Sequence, residues 1–186
     1  MTEENKKRVL KLCRQAIIAK LTTEPSAMYL QLKQQACAEL STFEGAFVTL
    51  KSGKDKNLRG CIGQVISEVP LFHLLYYLAQ QSAFADPRFA PVSLAEIKSL
   101  SIEVSILTVP KLIDSYKQIR LGIDGIILSC GQKRALFLPQ VASQMNWDLK
   151  TTLSHLSLKA GLASHGYLNP KCRFETFEAE VFGDAL

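Results

Sequence analysis

Gly45-Ala46-Phe47-Val48-Thr49-Leu50 and residues 58–66 are two β-prone runs separated by the polar stretch Ser52-Gly53-Lys54-Asp55-Lys56-Asn57, so the chain has to double back here as a hairpin. Pro70 follows at once, and its missing N–H suits the first turn of a helix, which the apolar spacing carries to about Phe84. In an extended strand successive side chains point to opposite faces. Unbroken alternation through Leu58-Arg59-Gly60-Cys61-Ile62-Gly63 therefore puts Leu58, Gly60 and Ile62 on one face and Arg59, Cys61 and Gly63 on the other. If the Leu58/Ile62 face packs, the other offers a cation, a thiol and bare backbone. Glycine inside a strand often marks the close approach of another backbone or of a ligand, which draws attention to Gly60 and Gly63.

The rest of the chain adds helices and strands in alternation. Val9, Leu12, Ala16 and Ile17 recur at helical spacing, predicting an N-terminal amphipathic helix that ends near Thr22-Thr23-Glu24-Pro25. Residues 26–40 lean helical. The two prolines of Asp86-Pro87-Arg88-Phe89-Ala90-Pro91 keep that segment out of a helix. Ser93-Leu94-Ala95-Glu96 is a capping box opening a short helix to about Ser99, and Ile102, Val104 and Ile106 alternate with polar residues as a half-buried strand. Asp114 is placed to cap another short helix. A second hairpin follows, with strands at 126–130 and 134–138 around Gly131-Gln132-Lys133. Pro139 opens a helix toward Trp147, Asp148 caps one from 149 to 160 with Gly161 as its stop, and a last strand spans 173–182.

The two hairpins echo each other. Gly45-Ala46-Phe47-Val48 resembles Gly125-Ile126-Ile127-Leu128, and Cys61-Ile62-Gly63-Gln64-Val65 resembles Phe137-Leu138-Pro139-Gln140-Val141. Each hairpin precedes a helix. The expectation is an α+β protein of two hairpin-plus-helix repeats sharing one mostly antiparallel sheet, helices packed outside. On this alignment Phe137 stands where Cys61 does, so the fold alone would not require a thiol there. No linker divides residues 1–186, which read as a single domain, with two lobes sharing the sheet as a variant.

Composition excludes several classes. With 47% hydrophobic and 21% charged residues, the 186-residue chain can build a core and is not disordered. The longest apolar stretch, 69–79, is about half a membrane span, and the charged N-terminus lacks a signal-peptide run, so a cytoplasmic protein without a membrane partner is expected. The five cysteines, Cys13, Cys37, Cys61, Cys130 and Cys172, form no C-x-x-C pair, and reduced thiols follow from that setting. His73, His155 and His165 have no zinc spacing, so no metal and no cofactor is expected. The net charge of +5 owes much to Lys51, Lys54, Lys56 and Arg59. Without interleaved aromatics these residues read as a solvated turn rather than a nucleic-acid surface.

The set Gly45-Ala46-Phe47-Val48-Thr49-Leu50, Leu58-Arg59-Gly60-Cys61-Ile62-Gly63, Asp86-Pro87-Arg88-Phe89, Ile102-Glu103-Val104-Ser105, Phe137-Leu138-Pro139-Gln140-Val141 and Lys159-Ala160-Gly161-Leu162 resembles the AmmeMemoRadiSam system protein A family, which includes the human AMME-syndrome candidate protein. The resemblance runs in order from about Gly45 to the C-terminus. It implies an α+β fold with a barrel-like, duplicated sheet. It also implies company, because such prokaryotic proteins are typically encoded with a Memo-like protein and a radical-SAM protein. It supplies no reaction. After Leu162 the family usually continues with a tryptophan-containing segment, where this chain has Ala163-Ser164-His165-Gly166-Tyr167-Leu168.

Two readings of the site stand side by side. In one, Arg59, Gly60 and Gly63 of the strand, with Asp86, Arg88 and Glu103, form a groove for a small anionic ligand or a partner segment, Arg59 and Arg88 converging on the anion. In the other, Cys61 is a nucleophile activated by Arg59, with glycine amides as donors and His73 folding back as a base. Each residue also has a plain role: Cys61 as packing, Asp86 and Arg88 as turn chemistry, Glu103 as a salt-bridge partner.

Overall fold

The computed structural model describes residues 1–22, 38–53 and 56–184. The helical leaning of 26–40, Cys37 and the tip residues Lys54 and Asp55 lie mostly or wholly outside them. The chain divides into two compact units, residues 1–106 with 180–186, and residues 107–179.

In the first unit, helix α1 (Glu3–Thr22) precedes strands β1 (Glu44–Ser52) and β2 (Asn57–Ile66), helix α2 (Leu71–Phe84), a 3-10 segment (Leu94–Ser99) and strand β3 (Leu100–Leu107). Strand β8 (Ala179–Gly183) completes a sheet of order β2-β1-β3-β8, with β1 and β2 antiparallel. The core forms where α1 and α2 lay apolar faces on the sheet. Leu12, Ile17, Leu71, Leu75 and Leu78 meet Ala46, Val48, Leu50, Ile102 and Val104, all essentially inaccessible. Burial of each leucine or isoleucine contributes roughly 2 kcal/mol. Arg14 ties α1 to this frame, donating to the carbonyls of Ile97 (2.8 Å) and Leu100 (2.9 Å) and pairing with Asp184.

The second unit contains β4 (Lys111–Ile113), β5 (Gly125–Cys130), β6 (Lys133–Phe137), helices α3 (Gln140–Gln144) and α4 (Leu149–Lys159), and β7 (Arg173–Phe177). Its sheet runs β4-β7-β5-β6, antiparallel at each pairing. Ile126, Leu128, Leu153, Leu156, Tyr167 and Phe174 make a separate core. Asp148 caps α4 through the Thr151 amide (2.7 Å), and Gly161 ends it at φ +73°, both as expected.

Hairpin and helix recur in each unit, and among the described residues the strands divide into two four-stranded sheets rather than one, with no closed barrel found. The expected last strand is also two strands. It breaks at Glu178, whose N–H and C=O are taken by the Thr108 hydroxyl and amide (2.9 Å each), so β7 and β8 join different sheets. Ser115, not Asp114, caps the short 3-10 helix at Tyr116–Gln118, because its hydroxyl accepts from the Lys117 amide.

Candidate functional site at the edge of the first hairpin

Strand β2 is the outer strand of its sheet, so one side of its backbone has no strand partner among the described residues. Such an edge exposes N–H and C=O groups that need another way to be satisfied. At Cys61 the segment after α2 supplies it. The Asp86 carboxylate accepts from the Cys61 amide (2.9 Å), and the Arg88 guanidinium donates to the Cys61 carbonyl (3.3 Å). Asp86 also accepts from the Arg88 amide (3.1 Å), Nε (2.9 Å) and Nη2 (2.7 Å). The Asp86 side chain is buried, whereas Arg88 is half exposed. The Arg88 guanidinium holds the Asp86 carboxyl well below the usual carboxylate range although burial pulls the other way. Asp86-Pro87-Arg88 thus acts as a charged surrogate for a neighbouring strand.

The two glycines have separate reasons. A Cβ on Gly60 would lie 2.1 Å from the Ser82 carbonyl oxygen, so only glycine lets the last turn of α2 seat on β2. A Cβ on Gly63 would lie 2.3 Å from the Phe47 ring, its cross-strand partner, which lies over the bare backbone. Ser82 adds a contact that no pattern in the sequence signals. Its buried hydroxyl donates to the Val48 carbonyl (2.7 Å) and accepts from the Ile62 amide (2.9 Å), bridging a strand pair from the helix side.

Arg59 sits in a β-bulge. Leu50 pairs with Gly60 and Lys51 with Leu58, which leaves Arg59 as the extra residue. The bulge breaks the alternation on which the expected common face of Arg59 and Cys61 rested, and Leu58 is exposed rather than packed. Arg59 donates to Glu96 through Nε (2.8 Å) and Nη2 (3.4 Å), with Nη2 also 3.4 Å from the Pro91 carbonyl. Glu96, which also accepts from the Ser93 amide and hydroxyl, is lowered to about 2, chiefly by Arg59. Arg59 Nη1 is buried and has no acceptor among the described residues.

Each predicted site residue can now be placed. Arg59 pairs with Glu96 and Arg88 with Asp86. Glu103 pairs with Lys51 (2.7 Å). Cys61 is half-buried, and its sulfur accepts from the hydroxyl of its cross-strand neighbour Thr49 (3.3 Å). His73 lies on the first turn of α2, against a groove with Gln64, Ile66, Val69 and Tyr77, past the other end of β2. Among the described residues no cluster of three or more His, Cys, Asp or Glu could hold a metal, and no helix is long and apolar enough to cross a membrane.

Thr49, Ser82 and Glu96 escaped the sequence reading. Thr49 is legible once the hairpin register is known. Glu96 announced itself only as a capping residue. The register also corrects the internal echo. Thr49 pairs with Cys61, and its counterpart Ser129 pairs with Arg134, so Arg134 mirrors Cys61 while Phe137 pairs with Ile126.

Fold and site together define a two-unit α+β protein whose first hairpin carries a bulged, charge-braced edge. The chain belongs to the AMMECR1 family, whose model matches residues 10–182. It is 43% identical over 144 residues to Protein MJ0810 of Methanocaldococcus jannaschii, covering 74% of this chain and 72% of that protein. It is 41% identical to Protein NEQ441 of Nanoarchaeum equitans, covering 74% and 79%. The crystal structure of the uncharacterized protein PH0010 from Pyrococcus horikoshii superposes with a TM-score of 0.82 at 34% identity, covering 95% of this chain and 89% of that one.

Proposed function

We propose that the protein is a cytoplasmic component of a multi-protein system with Memo-like and radical-SAM partners, and that it binds an anionic ligand or partner segment at the bulged edge of β2. The observation that carries the reading is Arg59 Nη1, a buried guanidinium N–H without an acceptor among the described residues. Leaving such a donor unmet costs about 1–3 kcal/mol, a cost that a ligand carboxylate or phosphate would remove once the guanidinium turns outward to meet it. The bulge that aims Arg59 is a device often found beside functional sites. Gly60, Gly63, Asp86 and Arg88 support the surface by holding the strand edge in place, and Glu103 lies on β3, beyond β1, where it pairs with Lys51.

Co-purification with either partner tests this. Arg59→Met should lose the partner while keeping the fold. Glu96→Gln keeps the Arg59 charge and should retain it. Unchanged binding by Arg59→Met would overturn the reading.

The Thr49 hydroxyl that donates to the Cys61 sulfur favours a second reading, a cysteine-dependent enzyme with Cys61 as nucleophile, since it fixes the orientation of the half-buried thiol. It predicts selective alkylation of Cys61 over Cys13, Cys37, Cys130 and Cys172, slowed by Thr49→Val. Equal, slow labelling of all of them would end it.

A further inference from the structure

Two cysteines of the second unit face each other across its sheet. Ser129 of β5 pairs with Arg173 of β7 in an antiparallel ladder, so one step further along Cys130 stands opposite Cys172. Cys130 also closes the β5–β6 hairpin against Lys133 across the two-residue turn Gly131-Gln132, with Gly131 at φ +61°. A glycine with positive φ in the first central position fits the II′ turn of tight hairpins, whose closing pair is hydrogen-bonded. The peptide groups of Cys130 therefore point at β6, away from β7. The Cys172 amide is likewise engaged elsewhere, with the Asn169 carbonyl (2.9 Å). A facing pair of this kind is a non-hydrogen-bonded one, in which Cα atoms approach to about 4.5 Å. That separation lies within the range a disulfide spans. The two thiols lie near enough that Cys130 influences the ionisation of Cys172, whose sulfur donates to the Gly166 carbonyl (3.3 Å).

We propose that Cys130 and Cys172 are a modification site, a reversible cross-strand disulfide formed by exchange with a small-molecule disulfide. The Cys130 thiolate attacks one sulfur of that reagent, forms a mixed disulfide and releases one thiolate. Cys172 then gives up its proton and attacks the Cys130 sulfur, forming the Cys130–Cys172 bond and expelling the second thiolate. Two protein thiols lose two electrons and two protons, and the reagent is reduced to two thiols. Burial, reinforced by the neighbouring Cys130, pushes the Cys172 thiol up to about 12, which assigns the first attack to Cys130 and the slower, base-accelerated resolution to Cys172. Cys172 also lines a cavity of about 540 Å3 with Tyr116, Tyr167 and Phe174, so the bond would fix one wall of that space.

The full chain incubated with oxidised glutathione, quenched in acid and digested without reduction tests this by mass spectrometry. The expected product is a peptide pair joining Cys130 to Cys172, lighter by two hydrogens than the separate peptides and lost on reduction. Formation should quicken with rising pH and disappear when the protein is unfolded in urea. Cys172→Ser should instead accumulate glutathione on Cys130. Glutathione retained on the wild-type cysteines without the cross-link, or the same cross-link yield in urea as in the folded protein, would overturn the proposal.

Discussion

The two hairpins solve the same problem in different ways. Both carry a glycine beneath a phenylalanine ring, Gly63 under Phe47 and Gly125 under Phe177. Both units hold a buried aspartate by an arginine more than half exposed, Asp86 with Arg88 and Asp124 with Arg120. The second hairpin is otherwise regular, with a two-residue turn and an unbroken register. Its outer strand β6 presents Lys133 and Arg134, and Lys159 donates to the Leu136 carbonyl (3.0 Å). The first hairpin has a four-residue loop, a bulge at Arg59, a serine bridging its ladder, and an aspartate that gives an oxygen to a strand amide. Regularity serves the scaffold. The departures cluster on the strand that carries Arg59 and Cys61, and costly local geometry of this kind is expected where function outweighs stability.

The sharpest way to break that contrast is at the glycines. Gly60→Ala drives a Cβ into the Ser82 backbone and should cost about 3 kcal/mol or more in chemical denaturation. Gly131→Ala has open space and only its positive φ to overcome, so about 1 kcal/mol is expected. Equal losses would mean that α2 does not press on β2 as described.

Asp86→Asn should cost about 2 kcal/mol, less than a fully buried ion pair because Arg88 is half exposed. Its pH dependence has a defined sign. Asp86 and Glu96 stay charged in the folded protein where the unfolded chain, with ordinary values of 3.8 and 4.5, has begun to bind protons. Their stabilisation is complete above about pH 5 and is lost as pH falls from there through pH 2. Wild-type stability should fall across that window, and Asp86→Asn should flatten its lower part. An unchanged slope would remove Asp86 from the account. Ser82→Ala should cost about 1–2 kcal/mol, because the Val48 carbonyl and Ile62 amide lose their bridge. A neutral outcome would show that the two strands close the gap themselves.

What could be read from the chain was local. The hairpins, α1, α2, the Ser93–Glu96 box and the Asp148 cap depend on residues a few positions apart, and they stand where periodicity and capping place them. The site depends on distant pairings. Arg59 meets Glu96 across 37 residues, and Ser82 reaches Ile62 across 20, with no periodic trace of either. The bulge escaped notice because alternation shows where a strand is, not where its register slips. The internal echo misaligned Cys61 for a related reason: the loops differ in length, so equal offsets along the chain do not give equal rungs on the ladder.

The register names the most direct control for the proposed site, since Arg134 stands on the regular hairpin at the rung that mirrors Cys61. Co-purification of a Memo-like or radical-SAM partner should be compared for wild type, Arg59→Met and Arg134→Met, with circular dichroism confirming that each is folded. The proposed function predicts that Arg59→Met loses the partner and Arg134→Met keeps it. Retention by Arg59→Met, or equal loss in both variants, would contradict the assignment of the site to the bulged edge of the first hairpin.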